Sequence, residues 1–251
     1  MTNPENPLAY RLVSRLAKVK PIEDENTCPN TNAKQLIVGY AALSLIKLED
    51  GSYIAIDGGT DIKAKKISNF LKQSGKCLDD IRAVYVTHAH YDHLGLVAAT
   101  RGSNTQTYIS KADSHVLTGD QHSEGLIPRL GEYYKSLAYL AGVKPETVEP
   151  NEEHQYGNIA ITAIATRGHT SGSMSYAIET PTGSAIYIGD ALDNGYNGIQ
   201  LPPSFLSYNL IDAKRSVNLI REYANEHPGA MIYPAHSAGM TAEQFIVSCR
   251  T

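Results

Sequence analysis

Tyr85-Val-Thr-His88-Ala-His90-Tyr-Asp92-His93-Leu-Gly95 places three histidines and an aspartate within six positions, directly after the apolar run Ile81 to Val86. That run reads as a buried strand. His88 and His90 are two residues apart, so at an extended strand end their side chains point to one side and grip one cation together. Asp92 and His93 follow where the chain turns into a helix; they lie beside that pair and suit a second cation a few ångströms away.

A catalytic metal site needs more ligands than one loop supplies, so further histidines or carboxylates are expected at other strand ends. Three stand there. His169 lies in Arg167-Gly-His-Thr-Ser-Gly-Ser173 after an apolar strand, Asp190 ends Ile186-Tyr-Ile-Gly-Asp, and His236 ends Met231-Ile-Tyr-Pro-Ala-His. Because each follows a predicted strand, all of them converge on one edge of a pair of sheets.

The chain around these motifs reads as one domain spanning 1–251. Residues 1–34 form a polar, proline-punctuated N-terminal arm, and the ordered core is expected from Gln35. Leu36 to Leu48, the turn Glu49-Asp50-Gly51 and Tyr53 to Ile56 read as a hairpin ending in Asp57-Gly-Gly. Thr60 or Asp61 then caps a helix with Ile67, Phe70 and Leu71 inward and Gly75 at its end. With the strand that follows, this is a βαβ unit. Next come a helix near Leu94 to Thr100, a strand at Thr107 to Ser110 and a helix at Ala112 to Leu117. Residues 119–150 interrupt the alternation with a loop and one helix, Arg129 to Ala141, which has Leu130, Tyr133, Tyr134 and Leu137 on one face. That helix reads either as a lid or as a surface helix packed on the core. Strands at Ile159 to Ala165, Ser173 to Ile178 and Ala185 to Ile188 suggest a meander, and Asp212 caps a helix with Val217 and Ile220 inward. Ala230 to Tyr233 is a further strand, and a Thr241/Gln244 capping box opens the last helix, from 242 to about 249. Strands then helices, twice over, give the expected fold: a four-layer αββα sandwich of two mixed sheets flanked by helices.

Composition narrows the function class. A net charge of −4 with 22 basic residues spread along the chain leaves no electrostatic footprint for nucleic acid or an anionic membrane. A small-molecule substrate is therefore expected. Cys28, Cys77 and Cys249 are odd in number and in no ligand spacing, which suits a reducing compartment. With no signal-like or membrane-length apolar run near Met1, the expected location is the cytoplasm.

Thr87-His-Ala-His-Tyr-Asp-His-Leu-Gly95, Gly168-His-Thr-Ser-Gly-Ser173, Gly189-Asp190 and Ala235-His236 resemble, in order, the motifs of the metallo-β-lactamase-fold hydrolases, over roughly residues 36–247. The resemblance implies that fold, with two divalent metal ions, zinc in the first place and manganese or iron as alternatives. It implies His88, His90 and His169 around one ion, Asp92, His93 and His236 around the other, and Asp190 bridging. It also implies a supporting role for Asp57, which by residue type alone is equally a turn aspartate. The implied chemistry is hydrolysis by a metal-bridging hydroxide, with Asp92 orienting the water and passing its proton.

Aspartate at position 190, where family members that are true β-lactamases carry cysteine or serine, points to an ester, lactone or thioester substrate. Lactonases of the family place a tyrosine three residues after the bridging aspartate; here that residue is Asp193, and Tyr196, three further on, is the candidate to reach an oxyanion. Gly168-His-Thr-Ser-Gly-Ser-Met-Ser-Tyr176 resembles the β-lactamase subclass lacking the metal-binding cysteine, so β-lactam hydrolysis is the alternative. An iron-dependent persulfide dioxygenase, binding one iron through His88, His169 and Asp190, is a further one that leaves His90, Asp92, His93 and His236 unused.

Overall fold

The computed structural model describes residue 11 and residues 14–22, 26–28, 30–119 and 142–249. The helix expected at Arg129 to Ala141 lies outside the described residues.

Seven strands form the first sheet in sequence order: β1 (Asn26–Cys28), β2 (Ala33–Val38), β3 (Ala41–Lys47), β4 (Tyr53–Ile56), β5 (Ile81–Tyr85), β6 (Gln106–Ser110) and β7 (Glu146–Val148). Pairing is antiparallel from β1 to β4 and parallel from β4 to β7. The second sheet has the order β15-β14-β11-β10-β9-β8, from β8 (Glu153–Tyr156), β9 (Ile159–Ala165), β10 (Met174–Thr180), β11 (Gly183–Gly189), β14 (Met231–Pro234) and β15 (Met240–Thr241). β12 (Asp193–Gly195) and β13 (Gly198–Gln200) form a separate hairpin.

The period-two pattern of the strands assigns each side chain to a layer. On β4, Tyr53 and Ala55 join the outer core of the first sheet while Ile54 and Ile56 join the core between the sheets. On β11, Ala185 and Tyr187 face that shared core, and Ile186 and Ile188 face outward. Helices α1 (Lys65–Lys72), α2 (Gly95–Ala99) and α3 (Lys111–Leu117) cover the first sheet through Ile67, Leu71, Leu96, Val97 and Val116. Helices α4 (Leu210–Glu226) and α5 (Ala242–Ser248) cover the second through Val217, Ile220, Ala224 and Phe245. The architecture is the αββα sandwich.

Several local expectations change. Leu36 to Leu48 is two strands, broken at Gly39, where φ is +81° and a Cβ would lie 2.1 Å from Thr60 Oγ1. A left-handed turn against a neighbouring side chain admits only glycine. The N-cap of α1 is Ala64, in the left-handed region at φ +46°, and neither Thr60 nor Asp61; Asp61 instead bridges the turn ahead of the helix, accepting the Lys63 and Lys65 N–H groups at 3.0 and 2.7 Å. The N-cap of α4 is Asn209 and not Asp212: the Asn209 side chain accepts from Ile211 and Asp212 N–H at 2.8 and 3.3 Å. Leu210 and Ile211, 41% and 65% exposed, fill the first turn with apolar residues that bury little, which hides the true start. Thr241 and Gln244 do form the reciprocal capping box.

The described residues ahead of Gln35 are more than an arm. Asn26–Cys28 pairs with β2, Val19 bridges to Gly195, and Lys20 N–H donates to Asn194 O at 2.9 Å. Among the described residues no helix is long and apolar enough to cross a membrane. Cys28, Cys77 and Cys249 are all free thiols.

Asn209→Ala is expected to lower the unfolding free energy by about 1 kcal/mol in urea titrations, and Asp212→Ala by clearly less, because only the former strips the cap. Equal losses would return the cap to Asp212.

Candidate metal centre

Parallel pairing brings the C-terminal ends of β4, β5 and β6 to one edge, and β11 and β14, also parallel, end beside them. Three bonds stitch the two sheets together there. Ala42 N–H donates to Ala235 O and Met174 N–H to Thr87 O, both at 2.8 Å, and the Tyr176 hydroxyl donates to Val86 O at 3.0 Å. Past Val86 the chain stays extended as far as His90 (φ −85°, ψ 150°), then makes one 3-10 turn over Tyr91–His93. Gly189, with φ +52°, carries the chain into Asp190 so close to Thr87 that a Cβ would lie 2.5 Å from its hydroxyl oxygen.

The structure brings together the seven residues singled out as ligands. His88 Nε2 is 3.0 Å and His169 Nε2 2.8 Å from His90 Nδ1, so three imidazole nitrogens share one point. Asp92, His93 and His236 form a second group, with His93 Nε2 3.9 Å from Asp92 Oδ1 and His236 Nε2 3.5 Å from Asp92 Oδ2. Asp190 faces both: Oδ2 is 3.3 Å from His169 Nε2 and 3.1 Å from His236 Nε2, and Oδ1 is 3.4 Å from His93 Nε2.

The opposite ring nitrogens are held by neighbours. His236 Nδ1 lies 2.7 Å from Tyr40 O, so it carries the proton and donates, leaving Nε2 to face the site. His93 Nδ1 lies 2.9 Å from Asp57 Oδ2, and His88 Nδ1 3.1 Å from Thr87 Oγ1. Asp57 itself accepts the Thr87 N–H at 2.8 Å and the Thr87 hydroxyl at 3.0 Å, tying the end of β4 to the first ligand loop.

Burial and charge divide the centre. His88 is pushed well below the ordinary histidine range by burial first and by the neighbouring imidazoles, and burial lowers His169 to about 3. These are neutral lone-pair donors. Burial also opposes charge on His93, but Asp57, Asp190 and Asp92 outweigh it and raise the ring to about 9; His236 is raised likewise, chiefly by Asp190. Asp190 is held well below the carboxylate range, because His236, His93 and His169 overcome its own burial.

His93 Nε2 and Asp190 Oδ1 are buried, lie 3.4 Å apart and have no hydrogen-bond partner among the described residues. Such orphaned atoms are costly unless something else satisfies them. A divalent cation does so for both, and neutral imidazoles with carboxylates suit zinc, manganese or iron. The donor set therefore fits a metal pair.

A cavity of about 500 Å³ opens over these residues. His90, Asp92, His169, Asp190 and His236 line it on one side; Ala17, Val19, Tyr40, Tyr91, Pro202, Pro203 and Leu206 make a largely apolar wall. Tyr196 does not reach it. The residue is 59% exposed at the tip of the β12–β13 hairpin and is not among the lining residues, because its N–H is drawn to Lys18 O at 3.2 Å. Asp193 lines the cavity instead; it accepts the Ser237 hydroxyl at 2.8 Å and is raised above the ordinary carboxylate range by burial. Its spacing from Asp190 was the available signal; for Ala17 and Val19 no local pattern exists.

His93 gives metal-stripped protein a definite pH dependence. Its folded pKa of about 9 lies above the ordinary value near 6.5, so its contribution is complete below about pH 6.5 and is lost as pH rises through about 9. Unfolding free energies measured after chelation should fall across that window, and Asp57→Asn should flatten the fall. An equal slope in the variant would remove Asp57 as the source.

The Metallo-beta-lactamase superfamily profile matches residues 37–236. A Bacillus subtilis protein named "Probable polyketide biosynthesis zinc-dependent hydrolase PksB" is 26% identical over 164 residues, 64% of this chain and 58% of that protein. The N-acyl homoserine lactonase AttM of Agrobacterium fabrum is 24% identical over 161 residues, 61% of this chain and 57% of that one. Among solved structures, the subclass B3 metallo-beta-lactamase BJP-1 of Bradyrhizobium japonicum superposes with a TM-score of 0.64 at 17% identity, covering 94% of this chain and 93% of that chain, a likeness of fold. With its αββα layers, its converging strand ends and a match over residues 37–236, the chain belongs to the metallo-beta-lactamase superfamily.

Proposed function

We propose that this metallo-hydrolase is a dinuclear enzyme acting on a small carbonyl ester, lactone or thioester. One observation carries the reading: seven ligand-type side chains form two groups that share Asp190 beside a largely apolar cavity, with His93 Nε2 and Asp190 Oδ1 otherwise unpartnered. A one-iron dioxygenase reading leaves the group of Asp92, His93 and His236 without a task.

His88, His90 and His169 would hold one ion, and Asp92, His93 and His236 the other, with Asp190 contributing to both. When bound, two such ions supply a water of lowered pKa as nucleophile and polarise the substrate carbonyl. Asp92, placed between His93 and His236, would orient such a nucleophile and carry its proton toward the leaving group. Asp57, Thr87 and Tyr40 hold the histidine rings so that the inward nitrogens keep their lone pairs available. The apolar wall of Val19, Tyr40, Tyr91 and Leu206 receives the acyl or ring portion of the substrate and displaces water. The likeness to AttM supports a lactone within this class. β-Lactam hydrolysis is the second reading, favoured by the Gly168 to Tyr176 motif.

Metal analysis of the purified protein should find about two ions per chain. A kinetic screen over esters, lactones, thioesters, β-lactams and phosphodiesters should find turnover among the first three, abolished by chelation and restored by zinc or manganese. Asp92→Asn should lower kcat by about 10²–10⁴-fold. Faster turnover of β-lactams would move the assignment to the second reading, and one iron per chain with oxygen uptake would overturn both.

A further inference from the structure

We infer that Asp113 is a positioning residue for the three-histidine group, an inference that rests on the two-ion reading above. Asp113 lies in the first turn of α3, on the strand-end edge where β6 finishes, and is 3% exposed. Its Oδ2 accepts the Ala89 N–H at 2.9 Å and the Thr170 hydroxyl at 2.9 Å. Ala89 is the residue between His88 and His90, and Thr170 follows His169. One carboxylate oxygen therefore joins the two loops that carry all three ligands of this group, without touching a ligand ring in either bond.

The surroundings are shaped around that clamp. Ser110 Oγ accepts the Asp113 N–H at 3.2 Å, and Thr170 is held from its other side by Ser173, whose Oγ accepts the Thr170 N–H at 3.0 Å. Gly172 closes over the carboxylate: a Cβ there would lie 2.3 Å from Asp113 Oδ1 and 2.3 Å from Ser110 Oγ. The Met174 N–H to Thr87 O bond joins the same two chain segments at 2.8 Å without involving Asp113, so the clamp sets loop position within a docked pair of sheets. The Asp92, His93 and His236 group is braced instead by Asp57 and Tyr40. Asp57 touches a ring of the second group and reaches the first only through Thr87, whereas Asp113 bonds only to the loops of the three-histidine group in these contacts.

The test is calorimetric titration of metal-stripped protein with Zn²⁺. Asp113→Ala, Asp113→Asn and Thr170→Val are each compared in a His236→Ala background, where the three-histidine group alone is complete, and in a His90→Ala background, where it is not. In the first background Asp113→Ala should weaken binding by about 10–100-fold, the usual effect of losing a partner behind the ligands. Asp113→Asn, which keeps an acceptor oxygen, should restore most of that loss, and Thr170→Val should show a smaller one. In the second background zinc affinity should not change. Unaltered affinity at the three-histidine group, or equal losses in both backgrounds, would overturn the inference, since a merely structural aspartate weakens both groups alike. If Asp113→Ala does not fold, Thr170→Val decides by the same two outcomes. Wild-type protein that binds one ion would sink the two-ion reading, yet the His236→Ala comparison would still decide the role of Asp113. Protein that binds no zinc overturns both.

Discussion

Asp190 holds a negative charge, with one oxygen fully buried, between two sets of imidazoles, and the rest of the structure is arranged so that this is tolerable. A carboxylate withdrawn from water is expensive unless paired and hydrogen-bonded. Here His236, His93 and His169 lower its pKa despite burial, and the same field lets His93 and His236 keep protons that burial alone would remove. In the proposed two-ion centre, the ions would take the place of those protons, since ligand imidazoles must be neutral and metal binding releases what they carried. The three-histidine side needs no such exchange, because burial already keeps His88 and His169 neutral.

That concentration of like and unlike charge would push loops apart if they were free. It holds because every contributing loop begins at the end of a strand whose other residues are locked in a core. Ile54 and Ile56 on β4, Ala83 and Tyr85 on β5 and Tyr187 on β11 all bury in the layer between the sheets. Backbone bonds from Ala42 and Met174 and the Tyr176 hydroxyl then fasten the two sheets at the same edge. Core packing and the centre therefore support one another.

The clustering of the seven candidate ligands was legible in the sequence because each stands at a strand end, where an apolar run stops and a histidine or aspartate follows; local pattern suffices for that. The fold class was legible for the same reason, since period-two strands and periodic helices carry their own signal. What stayed hidden depends on distant partners. Gly39 splits a run that reads as one strand, because Thr60 occupies the space beside it. Asn209 caps α4 ahead of Asp212, because apolar residues in the first turn are left exposed. β1, β7 and β8 are short and partly polar, so pairing and not propensity makes them strands. Asp193 lines the cavity and Tyr196 does not, because the chain turns back into a hairpin shortly after Asp190, and Asp113, an ordinary helix residue by sequence, is recognised only once both histidine-bearing loops lie against it.

Apart from Tyr40 and Tyr91, which belong to the ligand-bearing edge, the cavity wall has a different origin from its floor. The chemistry-bearing side chains belong to strand ends, whereas Ala17 and Val19 come from the segment before the first strand, and Pro202, Pro203 and Leu206 from the stretch between the β12–β13 hairpin and α4. The two sets share no core position. Mutation can therefore reshape this part of the wall, by exchange or lengthening of these segments, without touching the strand ends that carry the histidines and aspartates. Selectivity in this chain is free to drift faster than its reaction, and related sequences that keep the strand-end motifs can have exchanged one substrate for another.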